Sequence, residues 1–463
     1  MTTRAQLAER LAAAGFTGAD AESRAILIDD ATRTFQRDIG RPPRWAWFVP
    51  GRIEVFGKHT DYAGGRSLVA AVPRGFAIVA GPRTDGIVSA VDARWQVAMD
   101  VRPANERRSF TGWANYVAVV ARRLASNFPG AELGADLVFT SDLPRAAGLS
   151  SSSALVVAVA SALARRAGLE QRPEWQSALS GRLDLAGYLG AVENGLTFGA
   201  LAGTSGVGTH GGSEDHTAIL ACRAEHVSAY AYVPVRHVAD AALPGDWRFA
   251  VMASGIEADK AGSARARYNR ASLATRALVQ FCERAGLARC AGSLADLLGQ
   301  HPDMSGRLLR QLEHDGGLTP PADAAGEDTP AFAGSELARR LSHFLGEDAR
   351  VPFAVEAFQR GDERAIGELA AASQRDAEQL LGNQIPETSS LAATAREAGA
   401  FAASSFGAGF GGSVWALVGA DDSAGFVERW RARYRAAWPA LREGACFVAR
   451  PAPAVVDLPL SEW

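Results

Sequence analysis

Between Pro50 and Gly65 the chain reads PGRIEVFGKHTDYAGG, placing Arg52, Lys58, His59, Asp61 and Tyr62 among glycines where a strand would ordinarily carry apolar residues. Polar groups so placed need partners. Guanidinium, imidazole, carboxylate and ammonium groups brought together offer the directed donors and acceptors that a polyhydroxylated ligand requires; a charged surface turn is the alternative. A second segment, Leu143 to Ala154 (LPRAAGLSSSSA), is small enough for backbone N–H groups to approach an anion, at the start of a helix whose positive dipole end points the same way. It lacks the Gly-Lys-Ser/Thr of a P-loop, which excludes Walker chemistry. Its serines offer hydroxyls to phosphate oxygens or Mg²⁺, or simply cap the helix. In the third, Ser405 to Ser413 (SFGAGFGGS), the glycines precede the strand-like run VWALV instead of the helix that a dinucleotide turn must open. It reads as a loop bringing backbone close to a ligand or another loop, with a plain hairpin as the alternative. The fourth, Gly208 to Thr217 (GTHGGSEDHT), sets Glu214 and Asp215 between His210 and His216. The wide histidine spacing and the lack of a third histidine favour a general-base carboxylate over a zinc site.

These segments need elements to hold them. Apolar residues at helical spacing (Leu7, Leu11, Ala14, Phe16, then Ala25, Ile26, Phe35) open the chain with one or two amphipathic helices. Trp45 to Val49 reads as a buried strand that Pro50-Gly51 turns. Short β-rich runs at Phe76 to Ala80, Ile87 to Val91 and Gln96 to Val101 precede a helix from near Trp113. A strand over Leu137 to Thr140 then feeds the serine loop, and Ala154 to Ala167 is alanine-rich and helical. Strand, small-residue loop, helix is the order that phosphate sites use. Farther on, Ala229 to Val235 and Phe249 to Ser254 are strand-rich, and Ala264 to Arg310 and residues 336 to 399 are helical. Gly316 to Ser335 (GGLTPPADAAGEDTPAFAGS) has linker composition and reads as a mobile insertion.

At 463 residues the chain has room for two or three domains of roughly 150 residues. Apolar residues at 48%, charged residues at 21% and a net charge of −3 argue against a disordered chain and against a polyanion-coating one. Nucleic acid and membrane surfaces are therefore not expected partners, and no segment reads as a leader or a span of the roughly 20 apolar residues a membrane needs. The four cysteines are scattered without a CxxC pair, which points to a reducing cytoplasm. Only two of the 48 basic residues are lysines, Lys58 and Lys260. Nothing in the sequence sets the oligomeric state.

Jointly, the segments resemble the GHMP superfamily of small-molecule kinases (galactose, homoserine, mevalonate and phosphomevalonate kinases), galactokinases most closely. Pro50 to Gly65 looks like the signature PGRxNxIGEHTDYxxG, Leu143 to Ala154 like the phosphate loop LPxGxGLSSSAA, and Gly407 to Gly412 like the late glycine motif. Trp113 to Tyr116 (WANY), Ala264 to Arg270 (ARARYNR) and Glu356 to Asp362 (EAFQRGD) are weaker matches in the expected order. The resemblance implies a two-lobed α+β GHMP kinase fold. Residues 1–220 would form an N-terminal lobe with a mixed sheet, the sugar signature and the phosphate loop. Residues 221–463 would form a C-terminal ferredoxin-like lobe carrying the insertion at 316–335, with the active site in the cleft between. It also implies ATP and Mg²⁺ as cofactors, and transfer of the γ-phosphate to the anomeric hydroxyl of galactose or a galactose-like sugar. An arabinose, heptose or mevalonate-type kinase of the same superfamily and a catalytically silent sugar and ATP sensor are the alternatives.

By position, Asp215 matches the aspartate that takes the hydroxyl proton, and Arg52 the arginine that keeps it ionised and offsets charge on the transferring phosphoryl group. Gly148, Leu149, Ser150, Ser151, Ser152 and Ser153 match the phosphate loop, with Ser151 as the serine that contacts Mg²⁺. Glu193 matches the second Mg²⁺ carboxylate; its long separation from Asp215 implies either an insertion around Gly199 to Gly208 or a different carboxylate. Trp113 matches the aromatic packed on adenine, and His59, Asp61, Gly212 and Tyr268 match groups that contact sugar hydroxyls. The informative departure is Lys58, where galactokinases carry the glutamate that reads the hydroxyl on the sugar's sixth carbon. A cation there would pair with the carboxylate of a uronic acid. Alternatively it would pair with a protein carboxylate such as Glu54 or Glu214, leaving galactose or arabinose as substrate. Glu54 in place of the signature asparagine, and Gly-Gly-Ser-Glu-Asp in place of Gly-Ile-Met-Asp, are further departures around the sugar.

Overall fold

Two capped helices open the chain in the computed structural model, α1 (Arg4–Ala13) and α2 (Gly18–Ile39), with the Thr3 and Thr17 side chains accepting from Gln6 N and Asp20 N. The structure describes residues 2–104, 108–257, 264–284, 291–301, 303–312, 330–441 and 444–460. Lys260 and residues 316–329 of the expected insertion lie outside these. At the insertion's described end Phe332 is fully buried and Gly334 starts a helix, so those residues belong to a packed element.

The first sheet has eight strands. β1 (Trp45–Phe56), β2 (Arg66–Pro82), β3 (Val88–Asp92), β4 (Val97–Val101) and β5 (Ala135–Ser141) form most of it. Every pairing is antiparallel except β3 with β5, so the sheet is mixed. Along β2 the alternation is legible in the packing: Ala77 and Val79 face α1 and α2, while Ile78 and Ala80 face the opposite core. On that second face lie α3 (Trp113–Asn127) and α4 (Ser151–Ala167), followed in the chain by α5 (Pro173–Ala178), α6 (Arg182–Asn194) and α7 (Glu214–Ala221). β1 does not turn at Pro50-Gly51, as its residues predict, but continues to Phe56. Its pairing with the last strand stops at Phe48, so a proline beyond that point interrupts no ladder on that side, and the register against β2 shifts at Pro50/Gly51.

The first sheet also takes strands from beyond residue 220. β6 (His226–Ala231) pairs with β2 and β7 (Arg236–Ala242) with β6, so by hydrogen bonding the change of sheet falls after Ala242. The second sheet takes β8 (Trp247–Ala253), β9 (Ala402–Phe406), β10 (Ser413–Gly419) and β11 (Cys446–Ala449) in the order β11-β8-β10-β9, all antiparallel. Between β8 and β9 come α8 (Arg265–Arg284), α9 (Leu294–Gln300), α10 (Met304–Leu312), α11 (Gly334–Arg360), α12 (Glu363–Asp376) and α13 (Pro386–Glu397), and α14 (Ser423–Ala437) joins β10 to β11. This is the split β-α-β-β-α-β connection of a ferredoxin-like lobe. The chain then returns to the first sheet as β12 (Val456–Pro459) beside β1. One apolar core runs through both sheets, with the rings of Phe56 and Trp415 6.0 Å apart across the join, which fixes the cleft between the lobes. Among the described residues no helix is long and apolar enough to cross a membrane.

Candidate active site

β5 delivers the chain into the loop that α4 carries away. Ala146, Gly148 and Ser150 take φ values of 47°, 75° and 62°, left-handed conformations that fold the loop over the first turn of the helix. Ser150 Oγ there is buried without a hydrogen-bond partner. The β9–β10 glycine loop faces it. A Cβ on Gly148 would stand 3.3 Å from Phe406 O, and one on Gly407 3.1 Å from Gly148 O, so backbone meets backbone across the lobes. Ser413 Oγ closes the contact by donating to Ala147 O (2.6 Å).

Arg52 rises from β1 into this junction, almost completely buried. Its Nη1 donates to Gly148 O (2.5 Å), its Nε lies 2.9 Å and its Nη2 2.6 Å from Asp215 Oδ1, and Glu214 Oε1 is 3.5 Å from Nε. Burial alone would lower its pKa; Asp215, Glu214 and Glu54 more than reverse that, so the guanidinium stays charged. On the other side of the aspartate, Ser153 Oγ stands 3.4 Å from Asp215 Oδ2 and 3.0 Å from Glu193 Oε2, and His216 Nε2 is 3.1 Å from that same Glu193 oxygen.

Glu193 therefore belongs to the centre. Between Glu193 and Asp215 the chain forms a loop closed on itself: Val207 N donates to Glu193 O (2.8 Å), and Gly206 packs so tightly on Gly195 that a Cβ would lie 2.4 Å from Gly195 N. Of the four serines, Ser153 reaches the carboxylates; Ser151, two residues earlier on the helix, points to nearly the opposite side. Ser151 opens α4, where its amide is one of those lacking an intrahelical acceptor.

The sugar-signature residues wall the same cavity. Arg52, His59, Asp61, Glu193, Gly212, Asp215 and Tyr268 all line it. Arg340 can only donate, so Tyr62 Oη accepts from it (3.1 Å) and, with burial pushing its pKa up to about 12, donates to His59 Nδ1 (2.9 Å). The proton on His59 Nε2 then points to Ala408 O at 3.3 Å, tying the signature to the late glycine loop. Asp61 Oδ2 accepts from Glu214 N (3.1 Å).

Residues 33–82 match the galactokinase galactose-binding signature, residues 115–188 the N-terminal domain of GHMP kinases and residues 354–436 their C-terminal domain. A galactokinase of Roseiflexus sp. is 30% identical over 399 residues, 83% of this chain and 86% of that one. The chain belongs to the GHMP kinase superfamily, in its galactokinase-like branch. It is accordingly an ATP-dependent small-molecule kinase. A galactokinase of Chloroflexus aurantiacus is 29% identical over 401 residues, 85% of this chain and 88% of its own. In fold, this GHMP kinase is similar to the Lactococcus lactis galactokinase complexed with galactose, with a TM-score of 0.70 at 23% identity, covering 93% of this chain and 100% of that one.

Lys58 is the correction. Its side chain does not line the cavity of this GHMP kinase but points into the C-terminal lobe, fully buried, where Nζ donates to Ser373 Oγ (2.9 Å) and Ser404 Oγ (2.6 Å). Neither Glu54 nor Glu214 bonds it; the carboxylate behind it is Glu347, which accepts from Ser373 Oγ (2.6 Å). Trp113 packs its ring edge-on to Phe139 of β5 at 5.1 Å, beside the strand that feeds the phosphate loop. His216, Ser153, Asn194 and Thr209 line the cavity without having been assigned a sugar or catalytic contact from sequence, and Glu54 had stood only as a departure from the signature and a possible partner of Lys58. A polar residue inside an otherwise buried strand was the available signal for Glu54.

Among the glycines that line the cavity, Gly212 has the least room for a side chain: a Cβ would lie 2.2 Å from Asp61 Oδ2 and 2.7 Å from Tyr62 N. Gly212→Ala is expected to displace Asp61 and raise the KM for sugar about 10- to 100-fold with the KM for ATP unchanged, as steady-state kinetics would read.

Proposed function

We propose that this GHMP kinase phosphorylates the anomeric hydroxyl of galactose or a sugar of the same hydroxyl pattern. The observation that carries the reading is the Arg52–Asp215 pair, set in one crevice between the phosphate loop and the cavity walled by His59, Asp61 and Tyr268. Asp215 takes the hydroxyl proton as the sugar oxygen attacks the γ-phosphorus; the new O–P bond forms as the bond to the β,γ-bridging oxygen breaks and ADP leaves. Arg52, bonded to both Asp215 and the phosphate loop, lies where charge shifts between them.

The donor set suits Mg²⁺, a hard cation: the Glu193 carboxylate and Ser153 hydroxyl oxygens converge beside the loop, and Ser150 Oγ is an orphaned buried hydroxyl on it. When bound, the ion supplies charge neutralisation to the phosphates. Glu193→Gln is expected to raise the Mg²⁺ concentration for half-maximal activity about 10-fold or more while leaving the sugar KM near its original value, checked by Mg²⁺ titration at saturating sugar.

Lys58, turned away and bonded elsewhere, weighs against the uronate reading. An intact Arg52–Asp215–Ser153–Glu193 chain favours a working enzyme over a silent sensor. ATP turnover across galactose, arabinose, galacturonate, a heptose and mevalonate tests the proposal: galactose-configured sugars should give ADP and sugar 1-phosphate in equal amounts, whereas binding without turnover would refute it.

A further inference from the structure

We infer that the preferred sugar carries an ammonium group on the carbon next to its anomeric centre, as 2-amino-2-deoxygalactose does, and that Glu214 receives it. The inference rests on the sugar-kinase reading and names its substrate class. The cavity is lined by five carboxylates, Glu54, Asp61, Glu193, Glu214 and Asp215, against one guanidinium, Arg52, and two histidines. Of the nearby cations, Lys58 is bonded to serines and acts on Glu54 only through space, and Arg340 is bonded to His59 O and Tyr62 Oη.

Most of these carboxylates have partners in the fold. Glu54 Oε2 accepts from Gly407 N (2.7 Å), Asp61 from Glu214 N, Glu193 from Ser153, and Asp215 from Arg52. Glu214 Oε2 is different: it is buried and has no hydrogen-bond partner, in a residue that is 3% exposed and lines the cavity. A buried carboxylate oxygen left unpaired is costly, and a ligand that supplies the missing donor removes the cost.

Position selects the carbon. Glu214 and Asp215 share the one guanidinium of Arg52, so the group that meets Glu214 lies close to the hydroxyl that Asp215 deprotonates. One neighbour of the anomeric carbon is the ring oxygen, an acceptor that a carboxylate cannot serve; the other bears the substituent on the second carbon. Charge selects the substituent. Glu54 and Glu214 stand where the family's pattern has asparagine and methionine, so both departures add carboxylate at one spot, and each faces Arg52. A hydroxyl would supply a donor without offsetting that charge, whereas an ammonium supplies both. Burial first, then Glu54, raises the Glu214 carboxyl above the usual carboxylate range, and an ammonium beside it would bring it back down. The ammonium makes and breaks no bond in the transfer.

The test compares kcat/KM for galactosamine, galactose and N-acetylgalactosamine at fixed ATP and Mg²⁺, in the wild type, in Glu214→Gln and in Glu54→Asn. Galactosamine should lead galactose by about tenfold or more, with the neutral N-acetyl sugar behind both, and the ratio should fall to near one in Glu214→Gln and shrink in Glu54→Asn. A ratio taken within one variant does not depend on how much of that variant is active. Galactose equal to or ahead of galactosamine in the wild type, or a ratio untouched by Glu214→Gln, would overturn this inference alone. Failure to phosphorylate any of the sugars would overturn the kinase reading and this one with it.

Discussion

Asp215→Asn is expected to lower kcat by about two to four orders of magnitude while leaving the KM for sugar close to its original value. An asparagine keeps the shape and an oxygen for Arg52, whose Nε stands 2.9 Å from Asp215 Oδ1, and turns its amide toward Ser153 Oγ, which can accept from it and still donate to Glu193. What it cannot do is take the proton of the attacking hydroxyl. The loss should therefore fall on the chemical step, with an unchanged thermal melt showing that the cleft is intact. Single-turnover phosphoryl transfer read alongside equilibrium sugar binding separates the two effects. Undiminished turnover would remove Asp215 from the reaction and with it the account of the site.

Much of this centre was legible from residue type and order. The serine segment and the late glycine segment were read as bringing backbone close to a ligand, and the two meet at Gly148 and Gly407. Asp215, Arg52 and Glu193 were placed through the family resemblance, and the structure brings them together. What escaped the sequence was phase and distance. A run of four serines does not say which of them faces the cleft; that depends on where the helix begins and how it is rotated, and Ser153 is selected by packing of α4 against α6 and α7. The strand over Trp45 to Val49 was visible, but its continuation through Pro50-Gly51 depends on where a neighbour from the far end of the chain stops pairing. Lys58 shows the limit most plainly: its partners Ser373 and Ser404 lie 315 and 346 residues along the chain, beyond the reach of any local pattern.

That remote network gives Lys58 its largest measurable consequence. Lys58→Met should destabilise the protein by about 3 kcal/mol, because removing the cation leaves buried groups arranged around a charge that is gone. Nζ bonds Ser373 and Ser404; Ser373 donates to Glu347 Oε1, which also accepts from Gly57 N (3.3 Å) and Lys58 N (3.4 Å). Glu347 Oε2 binds Arg350 (2.6 Å), which reaches on to Asp376. Burial lowers the Lys58 pKa, while Glu347 and Glu54 pull it back up, so the ammonium helps to balance two buried carboxylates on opposite sides of the lobe junction. Lys58→Glu, the residue galactokinases carry there, should be worse than methionine, since it sets a third carboxylate against Glu347 with no added cation. Denaturant unfolding would rank the wild type above Lys58→Met and that above Lys58→Glu, and the folded fraction of Lys58→Met should keep the wild-type ratio of galactose to galacturonate turnover. A Lys58→Met protein of full stability whose preference between those two sugars had changed would place Lys58 at the substrate, against every contact it makes in the fold.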